Sequence, residues 1–347
     1  MTLRPRPTLA ACAIAIAAGL LAAAVGAPWP QPAKAGPVWP PPPDEARIRY
    51  VTTISKPADV GAGPSLLGRL WSVVAGRSRR PELVRPQAVA TDSAGRLLVV
   101  DAEQQMVHVF DPGRKRYAYL AGPFASPVAV AVGPGDVAYV SDAGRRRVFA
   151  FGPDGKLLRT FGQAGSEAVF TRPTGLAFGP DGLLYVLDAL GSRVTALSPQ
   201  GTFIRAFGKY GNGPGELNRP THIAAGPDGL LYVVDALNAR LQVFATDGTF
   251  VRSMGKRGNG TGDFDKPKGI AFDPDGHVYV AEALHDVIQV FDAAGRLLLV
   301  FGSSGGGPGQ FSLPNGVHMD RAGRLYVADA LNARVQVFQY VRGANAD

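Results

Sequence analysis

The feature that most limits what this chain can fold into is a repeat. A proline stands at 86, 127, 173, 220, 267 and 314, at spacings of 41, 46, 47, 47 and 47 residues. Three residues before each lies a large apolar side chain (Leu83, Phe124, Phe170, Leu217, Phe264, Phe311), and fifteen residues after each lies an acid (Asp101, Asp142, Asp188, Asp235, Glu282, Asp329). Agreement of six copies at three fixed offsets marks six equivalent structural units. Within the copy that begins at Leu217, apolar segments at 223–226, 230–235, 240–245 and 250–254 are separated by turn formers such as Pro227-Asp228-Gly229 and Thr246-Asp247-Gly248. Each unit reads as a four-stranded antiparallel meander. Such a sheet cannot bury both faces alone, and radial stacking lets each cover its neighbour, so the sequence predicts an all-β, six-bladed β-propeller.

The repeats start at about 83, 124, 170, 217, 264 and 311 within a propeller spanning 47–342, with 343–347 as a tail. The last copy runs out after its third strand, Arg334 to Tyr340, while an orphan strand-like segment, Arg47 to Ile54, precedes the first copy. Residues 47–55 are therefore expected to complete the last blade and hide its open edge. Residues 1–35 combine Arg4 and Arg6, an apolar run from Thr8 to Ala27, and Ala33-Lys34-Ala35, the pattern of an export signal or a signal anchor. This places the domain outside the cytoplasm, periplasmic or secreted, and anchored if the leader is kept. The Pro-rich segment 36–46 reads as a stiff spacer. Residues 65–75 place Leu66, Leu67, Leu70, Trp71 and Val74 on one side of a helix, a lid in the first instance, with partner docking or membrane contact as alternatives.

Composition narrows the chemistry. Cys12, in the leader, is the only cysteine, so the rest of the chain has no disulfide, thiolate nucleophile or cysteine-based zinc site. Removing Arg4, Arg6 and Lys34 takes Lys plus Arg from 36 to 33 against 28 acids, and the net charge from +8 to +5. That is a mildly basic surface, short of the footprint of a dedicated nucleic-acid binder.

The last copy contains Phe301-Gly302, Gly305-Gly306-Gly307-Pro308-Gly309-Gln310-Phe311, Pro314-Asn315-Gly316-Val317, Leu325-Tyr326-Val327-Ala328-Asp329 and Asn332-Ala333-Arg334-Val335-Gln336-Val337-Phe338. In these residues the chain resembles the NHL repeat family, over about 47–340. It departs in the shortened first copy, in Glu282 for Asp, and in Ala239 and Ala333 at the name-giving histidine. Some cytoplasmic NHL propellers bind RNA; export disfavours nucleic acid here. Peptide-amidating lyases are similar in architecture and hold a metal on channel histidines, whereas the equivalent positions here are Ala88, Ala129, Gly175, His222, Gly269 and Gly316. Lactonase-like propellers hold calcium through channel acids and amides, and the first strands here are Val, Ala, Ile and Gly. The sequence assigns no catalytic residue, no metal and no cofactor. A hydrogen-bonded structural role is expected for His222. With His318 it also defines the competing reading, a metal-dependent lyase or hydrolase working at the central channel.

In a meander, the loop leading into the first strand and the loop after the second share one face of the ring. That face carries the long loops and, with them, Arg172, Lys209, Arg219, Lys256, Arg257, Lys266 and Lys268, joined by Arg145 and Arg146 from a shorter one. The candidate ligand-binding set is Arg145, Arg146, Arg172, Lys209, Arg219, His222, Lys268 and His285. Four of the repeated acids are followed five residues later by Arg147, Arg193, Arg240 and Arg334, pairs expected to fix turns by charge-assisted hydrogen bonds. Glu282 lacks its arginine, which points to the fifth blade, with His285 and Asp286, as a place for function. The favoured reading is a non-catalytic exported scaffold that binds a protein or an anionic envelope polymer through the long-loop face, with membrane contact only through the leader or the 65–75 helix.

Overall fold

The computed structural model describes residues 36–63, 81–162 and 169–342. The leader, the 65–75 helix and the 343–347 tail lie outside the described residues. The chain forms the six-bladed propeller, each blade pairing its strands antiparallel in sequence order from the hub outward. Blade 1 runs through Pro86–Thr91, Leu97–Asp101, Met106–Asp111 and Arg116–Leu120. The innermost strands of the next four blades are Pro127–Gly133, Pro173–Phe178, Ile223–Ala225 and Pro267–Phe272. Among the described residues no helix is long and apolar enough to cross a membrane.

Blade 6 takes Pro314–Met319, Arg324–Asp329 and Arg334–Tyr340 from the end of the chain, and Ile48–Ile54 as its fourth strand. Ile48 lies opposite Tyr340 and Ile54 opposite Val335. Closure by the N-terminal strand is therefore as the count of strands requires. The segment read as a stiff spacer instead carries a strand. Val38–Trp39 adds a fifth strand to this blade, Val38 opposite Arg49. The reason is the indole of Trp39, which packs 5.5 Å from the ring of Phe301 and 5.9 Å from that of Phe338, over the glycine surface at Gly309.

The repeated residues do the same work in each blade. The apolar residue before each proline is buried, from Leu83 to Phe311. Tyr185, Tyr232, Tyr279 and Tyr326 fill equivalent core positions on second strands, and their hydroxyls donate to turn carboxylates: Asp181 and Asp228 at 2.7 Å, Asp273 and Asp320 at 3.0 Å. A buried tyrosine needs that partner. At the hub, blades meet backbone to backbone: a Cβ on Gly269 would sit 2.4 Å from the carbonyl oxygen of Asn315, and one on Gly316 2.7 Å from Cα of Ala88. Glycine is needed there for close approach rather than for unusual dihedrals.

Candidate functional site: the long-loop face and the channel mouth

The six repeated acids are fully buried, and their carboxylates hold the lead-in loops. Asp101 accepts the backbone N–H of Val84 at 2.7 Å, Asp142 that of Ala125 at 2.7 Å, Asp188 that of Thr171 at 2.7 Å and Asp235 that of Asn218 at 2.6 Å. Glu282 reaches the N–H groups of Asp265, Lys266 and Leu284, so its extra methylene preserves the clip and leaves no free carboxylate in blade 5. Asp286 is likewise engaged, with the N–H of Leu313 and the hydroxyl of Ser304. The expected acid–arginine pairs form in two blades only, Arg240 to Asp235 at 2.9 Å and Arg334 to Asp329 at 2.7 Å. Arg147 donates instead to the carbonyl of Gly162, and Arg193 to that of Val169. Blades 4 and 6 carry a glutamine on the third strand, Gln242 and Gln336, that donates to the same carboxylate oxygen and helps fix it; blades 2 and 3 have Phe149 and Thr195 there.

The hub positions test for a metal. Five of the six side chains at the level of His222 are Ala or Gly, the acids nearby are committed to backbone N–H groups, and among the described residues no group of three His, Cys, Asp or Glu could hold a metal ion. The described residues at the hub therefore do not fit a lactonase or lyase metal. His222 is corrected too: both ring nitrogens are buried and have no hydrogen-bond partner among the described residues, because its hub neighbours at that level, Gly175 and Gly269, offer no side-chain donor or acceptor. Burial first, and the Lys268 ammonium second, hold its pKa down to about 3. His318 lies at the far end of the hub, its Nε2 2.8 Å from Oγ1 of Thr91 and its ring beside Tyr326; burial lowers it to about 4 against the opposing pull of Asp320.

For a base whose folded pKa lies below the unfolded value of about 6.5, stability is complete above that value and falls as pH drops toward the folded pKa. His318→Gln is expected to flatten this dependence between pH 6.5 and 4.5, removing up to about 1.4 kcal/mol per pH unit. Urea midpoints of parent and variant across that window check it, and parallel curves would show that His318 does not titrate with unfolding.

The cations separate into two groups. Lys209 pairs with Glu216 at 3.2 Å, Lys256 with Asp263 at 3.7 Å and Arg257 with Asp265 at 3.6 Å, and Nε of Arg145 donates to the carbonyl of Pro123. Directly before four of the six first-strand prolines stand Arg85, Arg172, Arg219 and Lys266 (Ser126 and Leu313 precede the other two); these four are exposed and have no carboxylate partner among the described residues, and neither has Arg146. They circle the channel mouth, and half-buried Lys268 sits just inside it. Partial burial, then Lys266, draw the Lys268 ammonium below its ordinary range, with Glu282 opposing. His285 lies in the blade 5 turn, part-buried and apart from the hub. Sequence reasoning missed Arg85, though the repeat offset that places Arg172 and Arg219 also finds it. It also missed His108, fully buried where blades 4 to 6 have glutamine, with Nδ1 2.9 Å from the Tyr117 hydroxyl and Nε2 3.7 Å from Asp101. Burial alone would raise the Asp101 carboxyl; His108 and the backbone donors more than offset it and hold it low.

This is a six-bladed propeller with a close-packed hub and a basic mouth on its long-loop face. Residues 86–301 match the SMP-30/Gluconolactonase/LRE-like region and residues 311–338 the NHL repeat, and the chain belongs to this propeller family. A search of curated proteins gives no match. Among solved structures, the chain is similar to a Bacteroides thetaiotaomicron protein of unknown function (16% identity, TM-score 0.63, covering 84% of this chain and 75% of that one). It is also similar to a gluconolactonase from Xanthomonas campestris (19%, 0.59, 75% and 87%). A third is the virginiamycin B lyase of Staphylococcus aureus (13%, 0.56, 74% and 96%). At these identities the likeness is one of fold.

Proposed function

We propose that this protein is a non-catalytic exported scaffold that binds an anionic partner, a protein or an envelope component, on its long-loop face. The observation that carries the reading is the set of cations Arg85, Arg172, Arg219 and Lys266 at four of the six equivalent positions around the mouth, without a carboxylate partner among the described residues, with Lys268 inside it. Four like charges held apart on a rigid rim attract and orient an anionic surface without organising a reaction. The acids that could have served a hydrolase or lyase are spent on the loop clips.

The test compares two triple variants of equal charge change. Arg172→Glu, Arg219→Glu and Lys266→Glu lie on the rim; Arg116→Glu, Lys156→Glu and Arg296→Glu lie away from it. On immobilised poly-glutamate at moderate salt, the rim variant is expected to lose binding by about tenfold or more while the control loses much less. Equal losses in both would mean that net charge alone decides retention, and the rim would not be a site.

A further inference from the structure

The same face carries a second repeated feature. Two residues beyond the clip acid, at the tip of the turn between second and third strands, blades 3 to 6 place Leu190, Leu237, Leu284 and Leu331, with exposures of 43%, 55%, 54% and 60%. The preceding alanines, from Ala189 to Ala330, point inward and are buried. Each turn is rigid: the clip acid holds its base, and the residue two beyond the leucine is left-handed at Ser192, Ala239, Asp286 and Ala333. Nothing in the turn geometry asks for leucine at the tip, and blades 1 and 2 have Glu103 and Gly144 there. A single exposed leucine is ordinary, but four at one repeat position are not.

Equivalent positions in a propeller lie at one height above the ring, so the four leucines are coplanar and stand on separate loop tips. Tyr210, 74% exposed, projects from the lead-in loop of blade 4 on this face. Arg172, Arg219 and Lys266, with no carboxylate partner among the described residues, belong to blades 3 to 5, inside the arc of the leucines, while the carboxylates of Glu216, Asp263 and Asp265 are already paired with lysine or arginine. A planar set of separate apolar tips around a cationic centre complements a flat anionic surface into which single side chains can insert. A folded protein partner would instead present a groove or a contiguous apolar patch. We infer that the long-loop face docks on a bilayer containing anionic lipids, the leucine arc inserting between headgroups and the basic rim meeting their phosphates. This rests on the anionic-partner reading and names the partner.

The test is co-sedimentation with phosphatidylcholine vesicles, with and without about one third phosphatidylglycerol, a content at which basic residues near the surface are attracted. The protein without residues 1–35, whose apolar leader would itself enter neutral vesicles, is expected to bind the anionic vesicles and leave the neutral ones. A Leu237→Ser, Leu284→Ser and Leu331→Ser variant with unchanged melting is expected to lose vesicle binding about tenfold or more while keeping poly-glutamate binding; the rim charge variant loses both. In the same protein, which without the leader has no cysteine of its own, an environment-sensitive dye on Leu284→Cys is expected to shift to the blue only with anionic vesicles. Vesicle binding unchanged in the leucine variant, no dye shift, or a parent protein held by poly-glutamate but not by vesicles overturns the membrane inference and leaves the anionic-partner reading standing. Failure of the parent to bind either probe overturns both.

Discussion

Deleting residues 36–56 is expected to abolish the folded domain, not merely to weaken it. Ile48, Val51 and Ile54 are buried in blade 6, and Trp39 seals the seam between blades 5 and 6. Full burial of such side chains contributes about 1.5–3 kcal/mol each, so the segment accounts for a large part of the roughly 5–15 kcal/mol that keeps a domain folded. The deletion also exposes the edge of Arg334–Tyr340 along its whole length, a template for pairing with other chains. Because Ile48 lies opposite Tyr340, the two can be joined by a short hairpin turn. Moving residues 47–56 to follow Arg342 is expected to restore a monomer with most of the parent's thermal stability, while the simple deletion aggregates. A soluble, cooperatively melting deletion variant would show that five complete blades and an open sixth suffice.

What could be read from the sequence follows from how local each cause is. Proline at the start of the first strand and the acid at the end of the second act within one blade, so their spacing shows the blades directly, and counting strands shows that Ile48–Ile54 must close the ring. Contacts between distant segments were hidden. Trp39 sits in a Pro-rich stretch whose composition says spacer, and only its seat against Phe301 and Phe338 makes it part of the domain. The routes of Arg147 and Arg193 depend on which carbonyls the nearby loops present, which no offset encodes. His222 looked like a residue that would find a hydrogen bond, because the sequence does not show that its neighbours at the hub are backbone and glycine. The leucine repeat is plain in the letters, but its exposure depends on the turn that lifts each side chain from the face.

The clip acids should be the most sensitive single positions in the ring, and Asp235 and Asp329, which accept from the same four kinds of donor, the most sensitive among them; Asp329 shows why. Its carboxylate accepts from the N–H of Ser312 at 2.8 Å, Nδ2 of Asn332 at 2.9 Å, Nε of Arg334 at 2.7 Å and Nε2 of Gln336 at 3.1 Å. Asp142 accepts from the N–H groups of Ala125, Ser126 and Arg145 but has no arginine side chain against it. Asp329→Ala takes the counter-charge from a nearly buried guanidinium, which keeps only the carbonyl oxygens of Gly306, Gly307 and Gln310, and breaking a buried pair from one side costs about 3–5 kcal/mol. Asp142→Ala leaves only neutral donors unsatisfied, at about 1–3 kcal/mol. Thermal unfolding is therefore expected to fall by roughly 10 °C for Asp329→Ala and by clearly less for Asp142→Ala. If both variants lose the same amount, the backbone clip carries the whole effect and the pairing of Arg334 with Asp329 adds nothing to it. If Asp329→Ala loses more, the two blades in which acid, arginine and glutamine meet are the points where the ring is most firmly held.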